Sequence, residues 1–257
     1  ANYTWSGIEP FSYHIVNIGL HLIAAVLVLF ILRRLGCSPG AALAAALLFA
    51  AHPLCSEPIN YISSRSETQA ACGVLAAFAA YLQWRRQDDA RYLYWALGAF
   101  VCGLLSKSSA IVLPALLALY ELSFQVRPHW RRLLPFLAIA LFYLGLLVWV
   151  GFLGGGDTAA PRSLAAQWAT QTKALVYYAK LILMPVGLSI DHPFVEGHWS
   201  QAAVWSALLL LFSAGWLGWR TRGQQPLVFL GLAWGLVCLG PTLAVPLNVM
   251  VNEHRLY

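Results

Sequence analysis

Charge is scarce in this chain of 257 residues, since 10% of them are Asp, Glu, Lys or Arg and 60% are hydrophobic. A soluble domain carries about a quarter charged residues, so the composition excludes an ordinary water-soluble domain. Eleven Trp and eleven Tyr residues suit a protein anchored at two boundaries between water and lipid. The composition therefore predicts an integral membrane protein.

Paired cysteines are also lacking. The five cysteines are scattered and form no CxxC pair, which indicates neither a disulfide framework nor a zinc site. The net charge of +6 does not predict a nucleic-acid partner, because most basic residues lie in short loops between apolar runs. An initiator Met and a hydrophilic ending are missing as well, and we interpret the chain as an internal fragment.

Eight apolar segments divide the chain. They lie at about residues 14–32, 40–54, 69–84, 92–106, 109–125, 133–153, 201–219 and 227–247. Several are shorter than the about 20 residues that a spanning helix usually needs, so we expect their polar ends in a thinned or protein-lined region. The pattern predicts an all-α fold, a polytopic transmembrane helix bundle with about eight spans. We treat residues 1–257 as a single transmembrane domain with an outer loop at 154–200.

Basic residues predict the topology, because ten of the sixteen Lys and Arg residues occupy alternate loops. They are Arg33, Arg34, Arg85, Arg86, Arg91, Arg127, Arg131, Arg132, Arg220 and Arg222. The positive-inside rule makes these loops cytoplasmic and places both chain ends outside. Seven of the ten acidic residues and six of the seven histidines then lie outside. We therefore expect the chemistry on the extracytoplasmic face.

The segment 170–188 does not fit this alternation. It looks helical, with Lys173 and Lys180 two turns apart on one face, but a span here would move the basic loop at 220–222 to the outer side. The charges favour a helix that lies on the outer surface or re-enters the membrane. A ninth span is the competing interpretation.

Polar residues inside the first span form one candidate group. In FSYHIVNIGLH, His14, Asn17 and His21 share one helix face. Polar side chains in a span mark a functional path or hold helices together by hydrogen bonds. Both interpretations stay open for His14, whereas helix–helix bonding is favoured for His21. We take His14 and Asn17 as candidate substrate-binding residues.

The stretch HPLCSEPINYISSRSE gathers several ionisable groups in one short connection between apolar runs. Pro53 ends the incoming helix and leaves His52 at its mouth. Glu57 and Glu67 can accept protons or bind cations, and the guanidinium of Arg65 can pair with a phosphate. We take His52, Glu57, Arg65 and Glu67 as substrate-binding candidates. The alternative is a self-neutralising ion-pair loop at the membrane surface.

Three further outer stretches add candidates. Lys107 in GLLSKSSAIVLP either snorkels to the interface or adds positive charge to a pocket for an anionic head group. Asp191 and His192 lie in GLSIDHPFVEGHW, where no metal-ligand spacing occurs and a solvated loop is the alternative. Glu253 and Arg255 in PLNVMVNEHRLY form a second half of the pocket or begin a soluble domain. We predict no metal site, and the use of a divalent cation as cofactor stays open.

The order of these motifs (FxxHxxNxxLH, HPxxxExxxxIxxRSE, SKxxAxxxP, PxGLxxDH and NEHRLY) resembles a known family. This family comprises the O-mannosyltransferase-like membrane proteins of the GT-C superfamily that carry C-terminal tetratricopeptide repeats. The resemblance spans nearly the whole chain. The resemblance implies a GT-C-like bundle, a polyprenyl- or dolichyl-phosphate sugar donor, a protein or glycan acceptor, and tetratricopeptide repeats after residue 257.

The resemblance has two departures. The acidic pair that is usually catalytic in this family lies in the first outer loop, so we expect it upstream of Ala1. The Lys-Glu of the family is Lys107-Ser108 here, which removes a carboxylate. We therefore expect the fragment alone to be inactive.

The resemblance also implies a mechanism. Arg65, Lys107 and Arg255 would stabilise the departing lipid phosphate, a carboxylate outside this chain would act as the base, and Glu57 and Glu67 would orient cations or substrate. The expected activity is extracytoplasmic transfer of a mannose-like sugar with inversion. The alternatives are a non-catalytic membrane scaffold for a repeat domain and a transporter or flippase of a lipid-linked sugar.

Overall fold

The computed structural model describes residue 7 and residues 9–61, 64–124, 129–152, 162–189, 192–244, 250–252 and 256–257. Regular structure in this part is helical, which confirms the all-α prediction. The α-helices are α1 (Pro10–Arg34), α2 (Pro39–Ala51), α3 (Ser56–Asn60), α4 (Arg65–Gln87), α5 (Ala90–Ser106), α6 (Leu113–Phe124), α7 (Leu134–Trp149), α8 (Leu164–Leu183), α9 (Ala202–Thr221) and α10 (Pro226–Ala244). Short 3-10 turns occupy Pro53–Cys55, Ser108–Val112 and Trp130–Leu133.

Local residues set several helix ends. Ser38 accepts a hydrogen bond from the Ala41 N–H at 3.3 Å, and Pro39 follows as the first residue of α2. Ser163 caps the start of α8 in the same way. α4 ends at Gln87, and the following residue, Asp88, has a left-handed φ of 53° that stops the helix. The helix ends are thus set by capping residues rather than by hydropathy. They differ by a few residues from the ends of the apolar segments predicted from the sequence.

The described chain divides into two compact units, Ala1–Leu113 with Tyr257, and Pro114–Leu256. In the first unit, α1 packs against α2 and α4, and α4 packs against α5. α1 and α4 run in the same direction, because Asn17 contacts Arg65 near their starts and the carbonyl of Arg34 accepts a hydrogen bond from Arg86 near their ends. The two predicted cytoplasmic arginine loops of this unit therefore lie at one end of it.

Two glycines allow α4 and α5 to approach closely in opposite directions. A Cβ on Gly73 would lie 2.7 Å from the Gly103 Cα and 2.9 Å from the Ala99 carbonyl oxygen. Small residues at a helix crossing permit this backbone approach, which is a common device in membrane bundles. The crossing fixes the register of α4 against α5.

In the second unit, α9 and α10 form an antiparallel pair joined by a turn at 222–225. α8 packs at the other end of this pair. Gln167 donates to the Thr242 carbonyl at 2.6 Å near the end of α10, and Lys173 donates to Gln201 just before α9 at 3.2 Å. Since the turn carries basic residues, the positive-inside rule predicts that α8 lies at the outer end. Whether 170–188 lies on the surface, re-enters the membrane or spans it stays a prediction.

Several described helices are long and apolar enough to cross a membrane. They are Pro10–Arg34, Trp130–Trp149, Ala202–Thr221 and Pro226–Leu243, and the bent pair Pro39–Ala51 and Pro53–Asn60 adds one more if it forms a single span. Large apolar side chains cover their surfaces, such as Phe212, which is 70% exposed. These helices characterise a polytopic integral membrane protein. The count of about eight spans and the single domain 1–257 stay predictions.

Candidate functional site

Arg65, the first residue of α4, is held at the end of the first unit that lies opposite the arginine loops. Its Nε donates to Asn17 Oδ1 at 2.8 Å, and a terminal nitrogen donates to the Tyr13 carbonyl oxygen at 3.2 Å. The guanidinium also lies over the Tyr13 ring, 5.4 Å from the ring centroid. A cation in the first turn of a helix opposes the helix dipole. The contacts therefore fix an arginine where the helix alone does not favour one.

Asn17 is completely buried and joins Arg65 to the segment before α4. Its Nδ2 donates to the Ile59 carbonyl oxygen at 3.0 Å, and its Oδ1 accepts from Arg65. Both ends of the amide are thus engaged by the protein itself. The structure places this candidate behind Arg65, where it acts as a positioning residue.

Glu67 and Lys107 form an ion pair at the same end of the first unit. Glu67 lies in the first turn of α4, and Lys107 directly follows α5. Because the two helices are antiparallel, these two residues meet although they are distant in sequence. The Glu67 side chain is 10% exposed and the Lys107 side chain is 36% exposed. The carboxylate is therefore largely withdrawn from water, while the Lys107 side chain is partly exposed.

His52 and Glu57 lie in the break between α2 and α4. His52 Nδ1 accepts a hydrogen bond from a backbone N–H two residues later, at 3.2 Å, and caps the 3-10 turn. Glu57 is half-buried in the first turn of α3, where a carboxylate interacts favourably with the helix dipole. Both side chains have local structural roles, and their roles towards a substrate stay predictions.

His21 is buried between α1 and α2, and its two ring nitrogens have different partners. Nε2 lies 3.0 Å from the Ala50 carbonyl oxygen, and Nδ1 lies 2.9 Å from the Tyr257 hydroxyl. Because a carbonyl only accepts, Nε2 donates to Ala50, and this tautomer leaves Nδ1 to accept from the Tyr257 hydroxyl. The bond to α2 confirms helix–helix bonding for His21. Sequence reasoning missed Tyr257 as its second partner.

Tyr257→Phe is expected to destabilise the first unit by about 1–3 kcal/mol, because His21 Nδ1 loses its donor in a buried position. Burial raises the pKa of the Tyr257 hydroxyl above its ordinary value, so this donor stays protonated well above neutral pH. Thermal unfolding of the full-length protein in detergent measures the loss. Tyr94→Phe on α5 is the control, since Tyr94 is 72% exposed. Equal melting temperatures for the two variants would contradict the structural role of the hydroxyl.

His192 belongs to the second unit and is buried there against α8. Its Nδ1 lies 3.0 Å from the Tyr177 hydroxyl, and the two rings meet edge to face. One turn earlier on α8, Lys173 binds Gln201 and lies over the Phe194 ring. α8 therefore holds the segment that leads to α9.

The other predicted substrate-binding residues are not joined to Arg65 in the described part of the chain. His14 is half-buried on α1, and in the described part of the chain no hydrogen bond joins it to Arg65. Asp191, Glu253 and Arg255 lie outside the described residues. Within the described residues, no three His, Cys, Asp or Glu side chains are placed to hold a metal ion. The substrate-binding roles of all these residues stay predictions.

The fold and the candidate site define a class of protein. It is a polytopic helical membrane protein that holds fixed cations and a paired carboxylate at one end of a helix bundle. Residues 7–151 match the sequence model of the family described as Dolichyl-phosphate-mannose-protein mannosyltransferase. The chain belongs to this mannosyltransferase family. The matched region runs from the residues before α1 to the end of α7 and includes Arg65, Glu67 and Lys107.

Curated relatives agree with the family. The Protein O-mannosyl-transferase Tmtc2 of Drosophila melanogaster is 31% identical over 253 residues, which cover 89% of this chain and 25% of the relative. The TMTC2 proteins of Mus musculus and Homo sapiens, also named Protein O-mannosyl-transferase, are each 28% identical over 79% of this chain and 27% of the relative. The chain thus spans about a quarter of the length of these relatives. No solved structure matches it significantly.

Proposed function

We propose that the full-length protein containing this chain is a GT-C-type protein O-mannosyl-transferase. It moves mannose from a polyprenyl- or dolichyl-phosphate donor to an acceptor hydroxyl on the extracytoplasmic side. Membership of the mannosyltransferase family supports the class of reaction, and the description of that family supports the lipid-phosphate donor. The names of the relatives support a protein acceptor.

The fixed guanidinium of Arg65 is the observation that carries this proposal. A guanidinium has five N–H groups, and its two hydrogen bonds among the described residues use Nε and one terminal nitrogen. The remaining donors of the planar fork suit the oxygens of a phosphate. The N-terminus of α4, where Arg65 lies, favours the same anion. These features support a lipid phosphate bound at this end of the first unit.

The reaction breaks one bond and forms one bond at C1 of mannose. The acceptor oxygen bonds to C1 as the bond between C1 and the phosphate oxygen breaks, and the phosphate leaves with the bonding electrons. Arg65 and Lys107 stabilise the charge that develops on the phosphate. The hydroxyl proton passes to a carboxylate base. Glu67 is not that base, because its carboxylate is mostly buried and paired with Lys107; it orients Lys107 instead.

The position of the site in the first unit supports two parts of the proposal, that the site faces the extracytoplasmic side and that a lipid can reach it. The arginines that end α1 and α4 lie at the opposite end of the first unit, which the positive-inside rule makes cytoplasmic. Near Tyr13, the side chains of Phe11 and Ile15 are 75% and 52% exposed. This apolar surface supports a lipid tail beside α1, with its phosphate near Arg65.

Sugar transfer by the full-length protein in lipid nanodiscs tests the proposal, with radiolabelled dolichyl-phosphate mannose and other lipid-phosphate sugars as donors. We expect transfer or donor hydrolysis by the wild type. Glu67→Gln should lower the rate by about tenfold to a hundredfold, because Lys107 loses the group that positions it. Asp89→Asn is the matched control, since it removes a carboxylate from the exposed pair with Arg91 and keeps a helix cap.

Three outcomes would contradict parts of the proposal. Folded wild-type protein that binds donors without turnover would be a scaffold, and protein that moves a lipid-linked sugar between leaflets would be a transporter or flippase. Equal activity of Glu67→Gln and Asp89→Asn, with transfer intact, would contradict only the role of the ion pair.

A further inference from the structure

A groove between α8 and α9 in the second unit has no part in the proposed sugar transfer. Its volume is about 270 Å³, and its lining is largely apolar apart from one ammonium group and one hydroxyl group. The lining residues are Lys173, Val176, Ala203, Ser206, Ala207 and Leu210. A cation beside a hydrocarbon surface is a combination that suits an amphipathic anion.

Lys173 provides the charged end of the groove. Its ammonium donates to the Val195 carbonyl and to Gln201 Oε1, both at 3.2 Å and both neutral acceptors. The ring of Phe194, 5.5 Å from Nζ, also holds the ammonium in place. In the part of the chain that the structure describes, no carboxylate forms an ion pair with Lys173. An ammonium has three N–H donors, so a third can reach an anionic ligand.

The groove follows α9 away from this ammonium. Gln201 directly precedes α9 and Leu210 lies nine residues later, a distance of ~13 Å along a helix with a rise of about 1.5 Å per residue. α9 is one of the helices that can span a membrane, and Leu209 on it is 67% exposed. The groove therefore begins at the end of a membrane helix and continues along its apolar part.

We propose that this groove binds an anionic phospholipid of the bilayer. The phosphate binds the ammonium of Lys173, and the first part of one acyl chain lies along Val176, Ala207 and Leu210. A phospholipid presents its groups in this order, with an anionic phosphate at the interface and hydrocarbon below it. The bound lipid contacts α8 and α9 together and so stabilises their packing in the second unit.

Native mass spectrometry of the full-length protein, titrated in detergent with phosphatidylglycerol or phosphatidylcholine, tests this proposal. The wild type should retain one phosphatidylglycerol in preference to phosphatidylcholine. Lys173→Gln should weaken that binding about fivefold. Ala203→Trp should abolish retention of the lipid, because its ring fills the groove at an exposed position without removing a side-chain hydrogen bond. Lys180→Gln, which removes the same charge from an exposed position on α8, should bind like the wild type.

Several results would overturn the proposal. Equal weakening by Lys173→Gln and Lys180→Gln would show unspecific charge attraction, and unchanged retention by Ala203→Trp would place the lipid elsewhere. Release of phosphatidylglycerol by inorganic phosphate would define a site for free anions. Release by an equal amount of polyprenyl phosphate would assign the groove to the sugar donor.

Discussion

Arg65→Lys is expected to lower mannose transfer by roughly a hundredfold or more, mainly through kcat, while the protein stays folded. Lysine keeps the positive charge, so the change leaves net charge and topology signals intact. A single ammonium lacks the planar fork of a guanidinium. It cannot bind both Asn17 and the Tyr13 carbonyl and still present two parallel N–H groups to a departing phosphate.

Initial rates at varied donor concentration measure this loss in the full-length protein in nanodiscs. Arg91→Lys is the matched control, because it makes the same exchange at the opposite end of the first unit, where the Arg91 side chain is 64% exposed. We expect the control to keep wild-type kcat and KM. An unchanged rate for Arg65→Lys would contradict the role of the fork. A raised KM with unchanged kcat would show that Arg65 binds the donor before the reaction without favouring the transition state.

Apolar runs and local caps made most helices predictable from the sequence. The predicted segments 14–32 and 201–219 correspond to Pro10–Arg34 and Ala202–Thr221. The segment 109–125 differs, since the structure divides it into a 3-10 turn and α6, which begins one residue before Pro114. Proline lacks an N–H and fits the first turn of a helix better than its interior. Pro114 thus places the start of α6 at Leu113, several residues after the start that hydropathy alone would give.

The contacts of the candidate site were less predictable, because they depend on how helices pack. The sequence singled out Asn17, Arg65, Glu67 and Lys107 by residue type, but it did not indicate which of them meet. Asn17 and Arg65 are 48 residues apart in the chain, and their contact requires α1 and α4 to run in the same direction in one register. The backbone carbonyl of Tyr13 has no sequence signal, because every residue carries such a group.

Gly73→Ala is expected to destabilise the protein by about 1–3 kcal/mol, since an added Cβ overpacks the crossing of α4 and α5. That Cβ would lie 2.7 Å from the Gly103 Cα and 2.8 Å from the Gly103 nitrogen, and backbone atoms cannot move aside without separating the helices. Because α4 carries Glu67 and α5 leads to Lys107, the separation should also weaken their ion pair. We therefore expect a melting temperature lower by several degrees together with slower sugar transfer.

Two glycines of α5 supply the controls for this prediction. A Cβ on Gly98 would have no neighbour within 4 Å, so Gly98→Ala should melt like the wild type or slightly higher, because alanine favours the helix. A Cβ on Gly103 would lie 3.2 Å from the Ala110 Cβ, which predicts an intermediate loss. Thermal unfolding in detergent ranks the three variants. The measured quantity is the fraction of protein that remains monodisperse at each temperature. Equal melting of Gly73→Ala and Gly98→Ala would show that the crossing is not tight, and the register that joins Glu67 to Lys107 would then lack its physical basis.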